Sequence, residues 1–152
     1  MKIVIGSDHG AVELKAKIIE HLKGKGHNVV NVGVDTTESV DYPDIAKIAC
    51  TEFKTGGYDF GILCCGTGIG ISIAANKVKG IRCSLLCDLF SAEMTKAHNN
   101  PDFIAFGGRI QYKDKVEDMI DKFMETKFEG GRHQTRINKT LDIELDGMRG
   151  CC

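Results

Sequence analysis

The chain has 152 residues, 42% hydrophobic and 27% charged, the balance of one soluble domain large enough to bury a core. Its 20 Lys and Arg against 21 Asp and Glu leave a net charge of -1, which excludes the global basic field that holds nucleic acid or an anionic membrane. Any anion must be recognised locally. No stretch is long and apolar enough to span a bilayer, and the apolar run after Lys2 stops at Gly6, too short for a signal peptide; the cytoplasm is the expected compartment.

Two periodicities alternate along the chain. Lys2–Ile5 reads as a strand. Ala11, Leu14, Ile18 and Leu22 then recur at helical spacing until Gly24 and Gly26 stop them. Asn28–Val32 is a second strand. Pro43 suits the first turn of a helix that places Ile45, Ala49 and Phe53 on one side. Phe60–Cys64 is a third strand, followed by a helix over about 69–77. Ile81–Leu86 is a fourth strand. A helix over Leu89–His98 is broken by Asn99-Asn100-Pro101, and Phe103–Phe106 is the fifth strand. Val116, Met119, Ile120 and Phe123 mark a further helix. Apolar strands alternating with helices predict an α/β fold: a three-layer αβα sandwich around a Rossmann-like, five-stranded parallel sheet. Such sheets place their sites at the carboxyl ends of the strands.

The tail is different. Residues 1–128 read as the αβα catalytic domain, and Glu129-Gly130-Gly131 as a hinge. Ile137, Leu141, Leu145 and Met148 then form an apolar stripe in 129–152. It is expected to be a helical arm packed on a second subunit, the alternative being a last helix folded onto its own domain. Met148–Cys152 is expected to fray.

The seven cysteines, at 50, 64, 65, 83, 87, 151 and 152, are odd in number and include no C-x-x-C pair. That argues against a disulfide framework and against structural zinc. Adjacent Cys64 and Cys65 also make a poor redox pair. In an extended run neighbours point to opposite faces, so Cys64 is expected in the core and Cys65 toward the crevice. A free thiol titrates at about 8.5, and a helix N-terminus can lower that. Gly66-Thr67-Gly68-Ile69-Gly70 follows at once. This loop is either only a tight strand-to-helix turn or a cradle of N–H groups for an anion. It is neither a Walker loop nor a dinucleotide fingerprint.

Asp8 and His9 follow the first strand, Cys65 the third and Arg109 the fifth, so all are expected on the carboxyl edge. His98 and Asn99 end a helix before the fifth strand and are expected to converge on the same site. Each has a plainer use: Asp8 as a helix cap, His9 as a surface residue, His98 as a cation at a helix C-terminus. Arg132 and Arg136, four apart on one helical face, make either a phosphate clamp or a solvated basic face.

Together these segments carry a resemblance. Gly6-Ser7-Asp8-His9-Gly10, Asp41-Tyr42-Pro43, the block from Cys65 to Lys77, Gly80-Ile81-Arg82, His98-Asn99-Asn100, Phe106-Gly107-Gly108-Arg109 and Gly130-Gly131-Arg132-His133-Gln134 with Arg136 resemble the sugar-phosphate isomerase family. That family comprises ribose-5-phosphate isomerase B and the galactose-6-phosphate and allose-6-phosphate isomerases. The resemblance runs from about residue 2 to residue 145. It implies an aldose–ketose isomerase of the pentose phosphate pathway that needs no metal or cofactor. The implied substrate is a sugar phosphate and the implied partner a second copy, in a homodimer with shared active sites; whether dimers pair into tetramers stays open. It implies a catalytic set of Cys65 as base, His98 opening the furanose ring with Asp8, and Thr67. The N–H groups of Gly66, Thr67, Gly68, Ile69 and Gly70, with Asn99, would hold the enediolate. His9, Arg109, Arg132 and Arg136 would bind phosphate or orient the sugar. Part of the family uses a glutamate where Ile71 stands here, which places this chain in the thiol branch. Ser7 stands where the family often has cysteine. The competing functional reading is a non-catalytic phosphosugar- or nucleotide-binding module.

Overall fold

The computed structural model describes residues 1–149, and side chains as far as Leu145. Five strands form one all-parallel sheet: β1 (Lys2–Ser7), β2 (Asn28–Asn31), β3 (Phe60–Cys65), β4 (Cys83–Leu85) and β5 (Phe103–Gly107), in the order β2-β1-β3-β5-β4. The helices are α1 (Val12–Gly24), α2 (Tyr42–Lys54), α3 (Ile69–Ala75), α4 (Leu89–Met94), α5 (Val116–Glu125) and α6 (Arg132–Arg149). The expected three-layer parallel sandwich is what the chain adopts.

The central strands are buried on both faces, as a parallel sheet between helices requires. Alternation sorts their side chains. Ile3, Ile5, Ile62, Cys64, Ile104 and Phe106 meet α1 and α5 through Ile18, Leu22, Met119, Ile120 and Phe123. Val4, Leu63, Cys65, Phe103 and Ala105 meet α2 and α3 through Ile45, Ala49, Ile71 and Ala75. Each large aliphatic side chain so buried contributes roughly 1.5–3 kcal/mol.

Two elements differ from the sequence reading. β4 is shorter than Ile81–Leu86, because the Arg82 N–H goes to the Asp102 carboxylate at 2.8 Å rather than to a neighbouring strand. The helix expected over Leu89–His98 is α-helical only to Met94; Thr95–Asn99 is a π turn, closed by Asn100 at φ 39°. Such one-residue expansions gather at functional positions. In α1 the expected stripe of Ala11, Leu14, Ile18 and Leu22 does pack on the core, Leu14 partly buried, and Lys15 is buried beside it.

The tail is helical from Arg132 through Arg149, including Met148, while residues 150–152 of the segment expected to fray lie outside the described residues. α6 starts on its own domain: Ile137 is buried, and the Glu144 carboxylate accepts the Gly80 N–H at 2.9 and 3.1 Å. Ile143 and Leu145, which flank Glu144, are 72% and 42% exposed. Among the described residues no helix is long and apolar enough to cross a membrane.

Candidate active site

At the carboxyl edge three loops close on one another. β1 runs into a short 3-10 turn, His9–Ala11, capped by the Asp8 carboxylate, which accepts the Gly10 N–H at 2.8 Å. The capping use of Asp8 is therefore real, and it leaves the carboxylate 6% exposed at the mouth of β1. The loop after β5 is fastened to the loop after β3: the Gly108 N–H donates to the Cys65 carbonyl at 2.8 Å and the Arg109 N–H to the Gly66 carbonyl at 2.9 Å. Close approach demands glycine here. A Cβ on Gly10 would lie 3.0 Å from the Gly66 nitrogen, and one on Gly108 would lie 2.6 Å from the Gly10 carbonyl.

Cys64 and Cys65 do face opposite layers, but both are buried: Cys65 is 4% exposed and packs among the α2–α3 side chains. It does not look into an open crevice as expected, because α3 folds back over it. Its sulfur instead accepts the Gly68 N–H at 3.1 Å. Gly68 holds φ 76° at the start of α3, a left-handed geometry that turns the amide back toward the thiol. Thr67 is exposed, and its hydroxyl accepts the Ile69 N–H at 3.3 Å. The first-turn N–H groups of α3, Ile69 and Gly70 among them, have no intrahelical partner by construction.

His9, Thr37 and Arg109 line a cavity of ≈ 260 Å³ on this edge. The Val40 N–H donates to His9 Nδ1 at 3.2 Å, so a neutral His9 carries its hydrogen on Nε2. Val40 belongs to a loop anchored from below by Lys15. Its ammonium, 1% exposed, donates to the Val34 carbonyl at 2.5 Å, Asn31 at 3.1 Å and Asp35 at 2.6 Å. The hydrogen bond from Lys15 holds the Asp35 carboxyl below the ordinary carboxylate range.

His98 and Asn99 are not part of this cluster. They line a second cavity, ≈ 420 Å³, with Arg82, Cys83, Pro101, His133 and Arg136. Arg82 and Pro101 precede β4 and β5, and Cys83 pairs with Phe103 at the starts of those strands, whereas Cys65 pairs with Gly107 at the far end. The expected convergence on one edge within one chain is thus corrected: Asp8, His9, Cys65, Thr67 and Arg109 occupy the carboxyl edge, and His98, Asn99, Arg132 and Arg136 the amino edge. The reason is topological. The segment after β4 runs back along the sheet, so its end lies where β5 begins, a strand length of roughly 13–16 Å away.

On the amino edge the His98 and His133 rings stack at 4.1 Å and 3°. Glu129 reaches both, at 3.8 Å from His98 Nε2 and 3.3 Å from His133 Nε2. Burial, and then the neighbouring His98 and Arg132 charges, hold the His133 pKa below its ordinary value. His98, Glu129 and His133 offer ligand atoms within 4.8 Å of one another. Arg132 Nε, however, donates to His133 Nε2 at 3.3 Å, so in this arrangement that lone pair is already taken. Burial pushes the Cys64 thiol well up and the Cys50 thiol to about 11, which suits inert core groups.

Sequence reasoning passed over Lys15, Glu129 and Arg82 as site-shaping residues. Lys15 had a readable signal, a cation in register with Ile18 and Leu22. Glu129 and Arg82 act through tertiary contacts that no spacing announces.

A parallel α/β sheet with a thiol held by a glycine turn on one edge, and paired imidazoles and guanidinium groups on the other, defines an enzyme for a small anionic metabolite. The family model for Ribose/Galactose Isomerase matches residues 3–140, and the chain belongs to this family. It is an aldose–ketose isomerase of sugar phosphates. The ribose-5-phosphate isomerase B structure from Clostridium thermocellum superposes with a TM-score of 0.92 at 44% identity, covering 96% of this chain and 99% of that one. The Mycoplasma genitalium ribose-5-phosphate isomerase B, solved with bound ribulose-5-phosphate, gives 0.88 at 39% identity over 95% and 96% of the two chains. The galactose-6-phosphate isomerase subunit LacB of Clostridium acetobutylicum is 40% identical over 150 residues, 99% of this chain and 87% of its own.

Proposed function

We propose that the chain interconverts ribose 5-phosphate and ribulose 5-phosphate with Cys65 as the base, in a homodimer whose active sites join the carboxyl edge of one subunit to the amino edge of the other. The observation that carries this is the Cys65 sulfur held by the Gly68 N–H at 3.1 Å, on the edge where the Asp8 N–H meets the Cys64 carbonyl and the Arg109 N–H the Gly66 carbonyl. The His-Asn-Asn and Gly-Gly-Arg-His segments favour the pentose phosphate over a six-carbon aldose 6-phosphate. Exposed Ile69 and Ile73 on α3, 52% and 56% accessible, supply apolar surface beside the site for a second subunit.

His98, with Asp8, opens the furanose ring. The Cys65 thiolate then takes the C2 hydrogen as a proton. The released electron pair forms the C1–C2 double bond, and the charge moves to O1, which is protonated. As the C2 hydroxyl gives up its proton and becomes a carbonyl, the thiol returns its proton to C1. The loop N–H groups from Gly66 to Gly70, with Asn99, hold the enediolate; each such preorganised donor is worth roughly 10²–10³ in rate. His9, Arg109, Arg132 and Arg136 hold the phosphate and keep C2 against the sulfur. The Cys65→Ala enzyme is expected to lose turnover while ribose 5-phosphate still raises its melting temperature. Near-wild-type turnover of that variant removes the base. Profiling against five- and six-carbon aldose phosphates decides the sugar.

A further inference from the structure

Arg82 borders the amino-edge cavity, its side chain 25% exposed. Nη1 donates to the Asn99 carbonyl at 2.7 Å and Nη2 to the Asn100 carbonyl at 2.8 Å. Asp102 orients the same residue, accepting its backbone N–H at 2.8 Å and facing its Nε at 3.6 Å. These carbonyls close the π turn Thr95–Asn99, where Asn100 at φ 39° is the one non-glycine residue with positive φ among the described residues. From inside the turn Lys96 Nζ donates to the Asn100 side chain at 2.7 Å. A turn of this width leaves its last carbonyls without helical partners. Asn99 is exposed, so water could satisfy its carbonyl. What water cannot do is fix two carbonyls at one angle, which a planar guanidinium fork does.

We propose that Arg82 is the positioning residue for His98 and Asn99, locking the turn that carries them so that both side chains reach the sugar at a set angle. This rests on the proposed roles of His98 in ring opening and Asn99 in holding the enediolate. Arg82 touches no reacting atom in this scheme; its contribution is orientation.

In the full-length enzyme Arg82→Met, which keeps the apolar stem, is expected to lower kcat on ribose 5-phosphate by about 10–100-fold, with KM far less affected. Arg82→Lys keeps the charge without the fork and is expected to lose less. When both His98 and Asn99 are already alanine, Arg82→Met is expected to cost nothing more. A merely structural role would multiply the loss in every background. Arg82 loses its role if either single variant keeps wild-type kcat, or if Arg82→Met adds its full penalty to the His98→Ala, Asn99→Ala enzyme. If that double variant itself turns over at the wild-type rate, the ring-opening reading fails and the Arg82 role with it.

Discussion

The imidazoles of His98 and His133 lie face to face, centroids 4.1 Å apart and 3° from parallel. His133 is buried, and burial, followed by the charges of His98 and Arg132, keeps its pKa below the ordinary value despite Glu129. The folded state therefore resists a proton that the unfolded chain accepts. This contribution to stability is intact above the unfolded histidine pKa, about 6.5, and is lost as the pH falls through the lower folded value. Scanning calorimetry across this range should show a melting temperature that drops on acidification, and less steeply in His133→Gln. Equal slopes would mean that the ring is not held neutral.

Lys15 is the buried anchor of the loop that carries Thr37 and Val40. Lys15→Met leaves the Asn31, Val34 and Asp35 oxygens without their ammonium and is expected to cost about 1–3 kcal/mol in denaturant unfolding. Hydrogen exchange should accelerate at the Val34 amide, bonded to Ser7, and at the Val40 amide, bonded to His9. Unchanged exchange there would show that the loop holds itself.

Gly68→Ala should damage the enzyme beyond its backbone strain. A left-handed alanine costs roughly 1–2 kcal/mol, and its Cβ would meet the Phe106 carbonyl carbon and Leu85 at 2.7 Å. The Gly68 amide then swings away from the Cys65 sulfur, and turnover should fall by about tenfold or more. Gly26→Ala carries similar strain, φ 80°, with nothing within 4 Å of the new methyl, and should lose stability without losing kcat.

Alkylation followed by peptide mapping should find Cys87 first among the described thiols, because it is the exposed one. Cys50 and Cys64 should resist at neutral pH, since burial raises both thiols. Saturating substrate should slow modification of Cys65 and leave Cys87 unaffected. Equal protection at both positions would argue against a ligand bound beside residue 65.

The sheet was legible because buried parallel strands must be continuously apolar, and glycine or proline punctuates every connection but the one from β4 to α4. The carboxyl-edge residues were legible for the same reason: a polar group placed directly after such a strand has one place to go. The π turn was not, because one extra residue in a helix leaves the apolar period almost unchanged. Nor was the division between edges. His98 follows a helix, and where a helix ends depends on the direction in which it lies, which composition does not record. The hidden side of Cys65 also needed coordinates, since alternation tells which layer a side chain enters but not whether a later helix covers it.

His98 and Cys65 stand at opposite ends of one sheet, so the proposed pairing makes each working centre a chimera of two polypeptides. Two crippled enzymes, Cys65→Ala and His98→Ala, should then rescue each other. Statistical subunit exchange gives hybrids with one doubly damaged centre and one intact, restoring about a quarter of native activity from two inactive stocks. Dilution that dissociates the subunits should extinguish catalysis even while every monomer stays folded.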